Sequence, residues 1–176
     1  MTNLPEKYKG IYRIPSNRLK GWDYSTPGYY FVTICTHKKI PWFGEVNHDR
    51  VTLSPTGEIV AQNIERIPAI YSHIQLDVSV IMPNHIHAII VIVETPQWGV
   101  STAHAKKTMT LGIIVNLFKT SCTKQIHTLG FTDFAWQPRY YDHIIRNEQS
   151  LQKIRAYILG NPAQWSNDEY FHRHDL

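Results

Sequence analysis

The sequence has few of the features that mark secreted or membrane proteins. It contains only two cysteines, Cys35 and Cys122, in 176 residues, too few for a disulfide framework and in keeping with a reducing compartment. Its longest apolar run, residues 88–93, has the length of a strand rather than of a membrane span. The first residues lack the apolar stretch of a secretory signal. We therefore expect a cytoplasmic protein with no membrane partner.

The excess of positively over negatively charged residues is also small. The 18 lysines and arginines exceed the 14 aspartates and glutamates by only four. This excess is compatible with a polyanionic partner, but many enzymes of small acidic metabolites share it. Five tryptophans and ten tyrosines could stack on unpaired bases, although most are expected to fill the core and its rim. Composition therefore leaves the function open.

No internal repeat or low-complexity tract divides the chain, and its length suits one domain. Residues 1–27 are polar, with proline and glycine, and predict an irregular N-terminal arm. Residues 166–176 predict a C-terminal tail. In residues 28–165 the apolar pattern predicts the order strand, helix, strand, strand, helix, strand, helix, with a polar loop over residues 94–108. This order favours an α+β fold of the ferredoxin-like or RRM-like type: a single sheet of about four antiparallel strands with helices packed on one face.

A histidine pair, His85 and His87, opens the strand that carries the apolar run. Residues i and i+2 of a strand point to the same face about 6.6 Å apart, so the two imidazoles can converge on one cation. Chance is the alternative in a chain with ten histidines. A second pair, His172 and His174, is interpreted as incidental because chain ends are commonly disordered.

Two familiar histidine sites do not fit this pair. A histidine-triad nucleotide hydrolase would carry a third alternating histidine where this chain has Ile89. The His-Glu-x-x-His motif of zinc proteases is absent from the sequence. Any third ligand must therefore come from another part of the chain.

The last predicted helix carries a tyrosine beside its apolar stripe. Leu151, Ile154 and Ile158 form the stripe, while Tyr157 and Asn161 lie one turn apart on its flank. A phenol there can reach the sheet surface, and an amide oxygen can ligate a hard cation. The alternative is structural: a tyrosine at the core edge, and Asn161 as a helix C-cap before proline.

Together these residues resemble the HUH superfamily of single-strand nucleases, and most closely the single-tyrosine transposases of simple insertion sequences and the REP-associated tyrosine transposases. The resemblance spans most of residues 28–165, which would form the catalytic domain. The matching segments are Gly28 to Thr33, Met82 to His87, Leu111 to Lys119, Trp136 to Arg146, and Tyr157 to Pro162. The Met-Pro-Asn-His-Ile-His segment with a distal Tyr-x-x-x-Asn-Pro is the most specific part.

The resemblance implies a DNA transesterase with Tyr157 as its nucleophile and His85, His87 and Asn161 as metal ligands. Asn161 is the weaker assignment, since the third ligand varies within the superfamily. Neutral ligands leave the full charge of the cation available to a phosphate, which suits Mg²⁺ or Mn²⁺, with zinc left open. The related insertion-sequence enzymes act as dimers, so a homodimer is one arrangement that the resemblance allows.

The expected substrate is single-stranded or hairpin DNA, cut through a 5′-phosphotyrosine intermediate. Basic residues on the elements around the site are candidate phosphate contacts, although each could equally be a solvated surface charge. They are Lys119, Lys124, Arg139, Arg146, Lys153 and Arg155. Tyr140 and Tyr141 are rival nucleophiles by residue type alone.

Two other classes of function remain open from the sequence. One is a module of the same fold that binds structured DNA or RNA without catalysis. The other is a metal phosphohydrolase of small nucleotides, with the histidines as ligands and Tyr157 in a structural role.

Overall fold

The structure is a computed structural model that describes residues 18–94 and 109–171, with the backbone of residues 7–8 and 11–12. Residues 95–108 of the predicted loop lie outside the described residues, and so do His172 and His174. Two short strands, β1 (Lys7–Tyr8) and β2 (Ile11–Tyr12), pair with each other. The remaining elements are β3 (Gly28–Cys35), β4 (Gly44–Asn47), β5 (Arg50–Leu53), α1 (Pro55–Glu65), α2 (Ile67–Ile70), β6 (Ile74–Met82), β7 (His85–Ile92), α3 (Leu111–Thr128), β8 (Tyr141–Ile145) and α4 (Glu148–Gly160).

A four-stranded antiparallel sheet in the order β6-β7-β3-β8 forms the centre of the fold. Strands β6 and β7 are joined by a tight turn at Pro83 and Asn84, and β8 lies within residues 136–146, one of the segments that carry the family resemblance. The α+β class and the antiparallel sheet are therefore confirmed. The β4–β5 hairpin, which the sequence interpretation did not include, stands outside this sheet.

One face of the sheet is covered by α1 and α3. Tyr30, Val32 and Ile34 of β3 alternate toward this face and belong to the larger apolar cluster. Both helices begin at hydroxyl caps: Ser54 accepts a hydrogen bond from the backbone N–H of residue 57, and Thr110 from that of residue 113. The periodic apolar residues of both helices thus pack where the sequence predicts.

Helix α4 lies on the opposite face. Its Leu151 and Ile158 pack with Phe31 of β3 and with Ile89 and Val91 of β7 in a second apolar cluster. The sequence predicts that the helices pack on one face of the sheet. This holds for α1 and α3, whereas α4 packs on the other face. The physical reason lies in β7, which is buried at all eight positions and must be covered on both faces.

After α4 the chain turns back across the start of β7. A 3-10 helix spans Pro162–Asn167, and Tyr170 then lies against His85, with ring centroids 4.6 Å apart. Part of the segment expected to be a tail is therefore packed beside the histidine pair. Within the described ranges, no helix is both long enough and apolar enough to cross a membrane.

Candidate active site

The structure brings the tyrosine of α4 to the histidine pair of β7. The Tyr157 hydroxyl lies 3.1 Å from His87 Nε2, across 70 positions of sequence. His85 and His87 are 0% and 1% exposed, whereas Tyr157 is 44% exposed. The hydroxyl of a partly exposed tyrosine thus contacts one of two imidazoles that are buried at the start of a strand.

Asn84 fixes the tautomer of His85. Its amide nitrogen donates to the carbonyl oxygens of Lys39 and Tyr170, at 3.0 and 2.8 Å. Its side-chain oxygen therefore faces His85 Nδ1, at 2.9 Å, and only an N–H can make that contact. The proton of a neutral His85 lies on Nδ1, and the Nε2 lone pair points into the site.

His87 is held in a similar way by Thr33, which lies opposite it on β3. The Thr33 hydroxyl is 2.9 Å from His87 Nδ1. A hydrogen bond to the second ring nitrogen is the usual support of a metal-binding histidine. Sequence analysis did not include Thr33 or Asn84 among the site residues, although both lie in the segments that carry the family resemblance.

Both imidazoles are neutral at neutral pH. Burial lowers the pKa of His87 to about 4, against a smaller opposing effect of Asp168. Burial, and then His87 itself, hold the pKa of His85 well below its usual range. Neutral imidazoles have the lone pairs that metal ligation requires.

The spacing of the two ring nitrogens fits a cation. His85 Nε2 and His87 Nε2 are 3.1 Å apart. Two donors at right angles, each about 2.1 Å from an octahedral cation, would be about 3.0 Å apart. Since the proton of His85 is on Nδ1, its Nε2 lone pair is available to such a cation.

A carboxylate completes this group. Donor atoms of His85, His87 and Asp168 all lie within 4.8 Å of one another, an arrangement that could hold a divalent metal. Asp168 follows the 3-10 helix, in a segment with no apolar periodicity and no recognised motif. Asp168 comes close to the histidines through the path of the chain after α4, so no local sequence pattern predicts it as a ligand.

Asn161, the predicted third ligand, lies just past the end of α4 and is 2% exposed. Its amide nitrogen donates to Asp168 at 2.6 Å, while its side-chain oxygen is buried and has no hydrogen-bond partner among the described residues. A buried acceptor without a donor is costly. That oxygen is thus available to a ligand that sits beside Asp168.

The phenol of Tyr157 borders a cavity of ≈ 680 Å³, which Asn161, Gln164 and Asp168 also line. Burial of part of the ring, and then the charges of Asp168 and Glu169, raise the pKa of Tyr157 to about 12. The phenol is therefore protonated at neutral pH, and it must lose that proton during any attack.

The predicted phosphate-binding residues lie in different environments. Lys153 and Lys124 are exposed, and the Arg146 guanidinium lies 6.0 Å from the Trp22 ring. Arg155 pairs with Asp77 at 2.8 Å. The Lys119 ammonium donates to the carbonyls of residues 137 and 139, and burial lowers its pKa to about 8.

Arg139, one of the two residues whose carbonyl Lys119 binds, adopts a left-handed backbone conformation with φ 69°. Lys119 thereby fixes the loop before β8 and carries a positive charge within it. Lys124 lies on α3, and thus on the face of the sheet opposite α4.

The rival tyrosines lie on or next to β8. Tyr140 receives a hydrogen bond from Arg18 at 2.8 Å, and burial raises its pKa to about 12. Tyr141 is 46% exposed and packs edge-on against Phe31, with ring centroids 6.2 Å apart. Of the three tyrosines, Tyr157 is the one whose hydroxyl contacts the histidine pair.

The chain is similar to known proteins in sequence and in fold. No protein-family model matches the chain. An uncharacterized protein of Haemophilus influenzae is 35% identical over 185 residues, covering 96% of this chain and 99% of that protein. Among solved structures, a REP-associated tyrosine transposase bound to a REP hairpin is similar with a TM-score of 0.57 at 18% identity, covering 86% of this chain and 74% of that chain. The chain therefore belongs to the family of the Haemophilus influenzae protein, and its fold is that of the REP-associated tyrosine transposase.

Proposed function

We propose that this protein is a metal-dependent transesterase that cuts and rejoins single-stranded DNA through a 5′-phosphotyrosine intermediate. The observation that carries the proposal is the 3.1 Å contact between the Tyr157 hydroxyl and His87 Nε2. A nucleophile next to the nitrogens that would hold a cation can reach a phosphate bound to that cation.

The chemistry follows from this placement. The Tyr157 oxygen attacks phosphorus in line with the 3′ oxygen, the P–O3′ bond breaks, and the 3′ oxygen leaves as a hydroxyl. The phenolic proton is lost during the attack. The phosphotyrosine keeps a phosphodiester linkage, so another 3′-OH can attack the same phosphorus, release Tyr157 and join two DNA ends.

His85 and His87 would hold the cation, with Asn161 as the predicted oxygen ligand. When bound, the cation neutralises charge on the phosphate oxygens. Mg²⁺ and Mn²⁺ are the proposed ions because they accept both nitrogen and oxygen ligands and keep open positions for phosphate oxygens. Asn84 and Thr33 keep the imidazole lone pairs directed at that position.

Single-stranded or hairpin DNA is the proposed substrate. The solved transposase of the same fold is bound to a REP hairpin, and the cavity beside Tyr157 is open to an unpaired strand. Lys153, Arg155 and Arg146 are the predicted phosphate contacts on or next to the tyrosine helix. Lys119 on α3 and Arg139 in the loop before β8 would act in the same way.

One chain supplies the tyrosine and both histidines, so a single subunit holds the proposed centre. A homodimer remains a prediction of the family resemblance, as does a location in the cytoplasm. Residues 28–165 are the proposed catalytic domain, to which the structure adds the contacts of residues 168 and 170.

The test is to trap the intermediate. Labelled single-stranded DNA with a hairpin is incubated with the protein and Mn²⁺, and a covalent adduct that survives SDS is expected. Tyr157→Phe removes the nucleophilic oxygen and should abolish the adduct, whereas Tyr141→Phe is the matched control and should retain it. EDTA, His85→Ala and His87→Ala should each greatly reduce the yield.

Other outcomes would favour the other classes of function. DNA binding that is unchanged by EDTA and by Tyr157→Phe, with no adduct, indicates a binding module. Hydrolysis of small nucleotides without a protein-linked intermediate indicates a metal phosphohydrolase. An adduct formed at the wild-type level by Tyr157→Phe would show that Tyr157 is not the nucleophile.

A further inference from the structure

We propose that Asp168 is a direct ligand of the cation held by His85 and His87, and that Asn161 supports this carboxylate. This inference rests on the proposed function, because it concerns the same metal centre. It assigns a charged ligand to the segment after α4, whereas the sequence pattern predicts only neutral ligands.

Potential metal-ligand atoms of three side chains lie close together at the start of β7. Donor atoms of His85, His87 and Asp168 lie within 4.8 Å of one another. The His85 proton is on Nδ1, where Asn84 accepts it, so His85 Nε2 presents a lone pair. Octahedral ligands about 2.1 Å from one cation are about 3.0 Å apart at right angles and about 4.2 Å apart when opposite. The two imidazole nitrogens, 3.1 Å apart, match adjacent ligands of one cation, and the nearby carboxylate could complete the group.

Both carboxylate oxygens of Asp168 accept a hydrogen bond from the protein. Asn161 donates to one carboxylate oxygen at 2.6 Å, and the backbone N–H of Tyr170 donates to the other at 2.7 Å. A carboxylate has about four lone-pair positions, so each oxygen can still accept a ligand. Metal-binding carboxylates are characteristically hydrogen-bonded in this way.

The residues after Asp168 are hydrogen-bonded to the turn before the histidine strand and to the loop after β3. Asn84, directly before His85, binds the Tyr170 carbonyl, and the Tyr170 ring lies against the His85 ring. The Lys39 ammonium binds the Glu169 carbonyl at 3.1 Å. These contacts hold the two residues that follow Asp168, so its carboxylate stays beside the imidazoles.

The experiment measures metal binding rather than catalysis. Mn²⁺ affinity is determined by titration calorimetry for the wild type, Asp168→Asn and Glu169→Gln. Asp168→Asn should weaken binding about tenfold or more. Glu169→Gln removes the same charge from the adjacent residue and should leave the affinity within about twofold. Circular dichroism checks that each variant is folded.

A second variant separates a ligand from a supporting residue. Asp168→Cys offers a thiolate, and Co²⁺ bound to it should show a sulfur-to-cobalt charge-transfer band. The wild type and Glu169→Cys should show none. The proposal is overturned if Asp168→Cys binds Co²⁺ without that band, or if Asp168→Asn binds Mn²⁺ as tightly as the wild type.

Failure of this inference differs from failure of the proposed function. If Mn²⁺ binds independently of Asp168 and the adduct still forms, the transesterase stands and the ligand assignment is wrong. If Mn²⁺ binding requires Asp168 but no adduct forms, the ligand assignment stands and the transesterase is wrong.

Discussion

Asn84 and Tyr170 are joined by a hydrogen bond of 2.8 Å from the Asn84 amide to the Tyr170 carbonyl, across 86 positions of the chain. The same amide nitrogen binds the Lys39 carbonyl, and the amide oxygen binds His85. One side chain in the β6–β7 turn therefore connects the histidine pair, the loop after β3 and the segment after α4.

Replacing Asn84 by Asp tests this connection. Asp keeps an acceptor for His85 Nδ1 but removes the donor to both carbonyls. We expect a loss of about 1–3 kcal/mol in the free energy of unfolding, since buried acceptors lose their partner. Urea unfolding measures the loss, and amide hydrogen exchange should show reduced protection at residues 168–171. Asn167→Asp, at an exposed position of the same segment, is the control and should change neither measurement.

Thr33→Val tests the support of His87. Valine has nearly the shape of threonine but cannot hydrogen-bond His87 Nδ1. We expect Mn²⁺ affinity to fall by about 10–100-fold, the usual effect of removing such a partner. Thr132→Val, at an exposed position, should bind Mn²⁺ like the wild type. Equal affinities for all three proteins would show that Thr33 does not orient the imidazole.

Acid should destabilise the metal-free protein through the histidine pair. The folded-state pKa of His87 is about 4, below the unfolded value of about 6.5. Between these pH values the unfolded chain binds a proton that the folded protein does not, so stability is present above pH 6.5 and falls as the pH drops. The linkage relation gives roughly 3 kcal/mol for His87 between pH 7 and pH 4, and His85 adds to it.

This loss can be measured by urea unfolding in EDTA at a series of pH values. The titration of acidic residues contributes to the same curve, so the informative comparison is with His87→Gln. That variant should lose less stability than the wild type between pH 7 and pH 4. The same slope in both proteins would mean that burial does not lower the pKa of His87.

Leu151→Ala tests the attachment of α4 to the second face of the sheet. Leu151 is 5% exposed and packs in the apolar cluster under this helix. Truncation should cost about 2–5 kcal/mol of unfolding free energy and reduce adduct formation by Tyr157. Leu159→Ala lies on the same helix at a residue that is 70% exposed, and should cost less than about 0.5 kcal/mol. Similar losses in the two variants would contradict the packing described for α4.

Local pattern was sufficient to predict the sheet and the positions of the two histidines and the tyrosine on their elements. The uninterrupted burial of β7 follows from its apolar run, and the shared face of His85 and His87 follows from the period of a strand. The flank position of Tyr157 follows from the period of a helix. Each of these features depends on residues that are near one another in sequence.

The rest depends on how the chain returns to the sheet. Which face α4 covers is decided by the path of a short connection after β8, because β7 is apolar on both faces beyond His87. Asp168 reaches the histidines only because Asn161, Tyr170 and Lys39 hold its segment in place. No periodicity encodes such contacts, so they appear only in the three-dimensional structure.

The packing of residues 162–171 beside the histidine pair has a practical consequence for protein engineering. A truncated version that stopped at Asn161 would keep the residues of the four-stranded sheet, of α1 to α4 and of both apolar clusters. It would nevertheless lack Asp168 and Tyr170, and inactivity in such a protein would be misread as evidence against the chemistry. Shortened versions used for assay should therefore extend at least through Phe171.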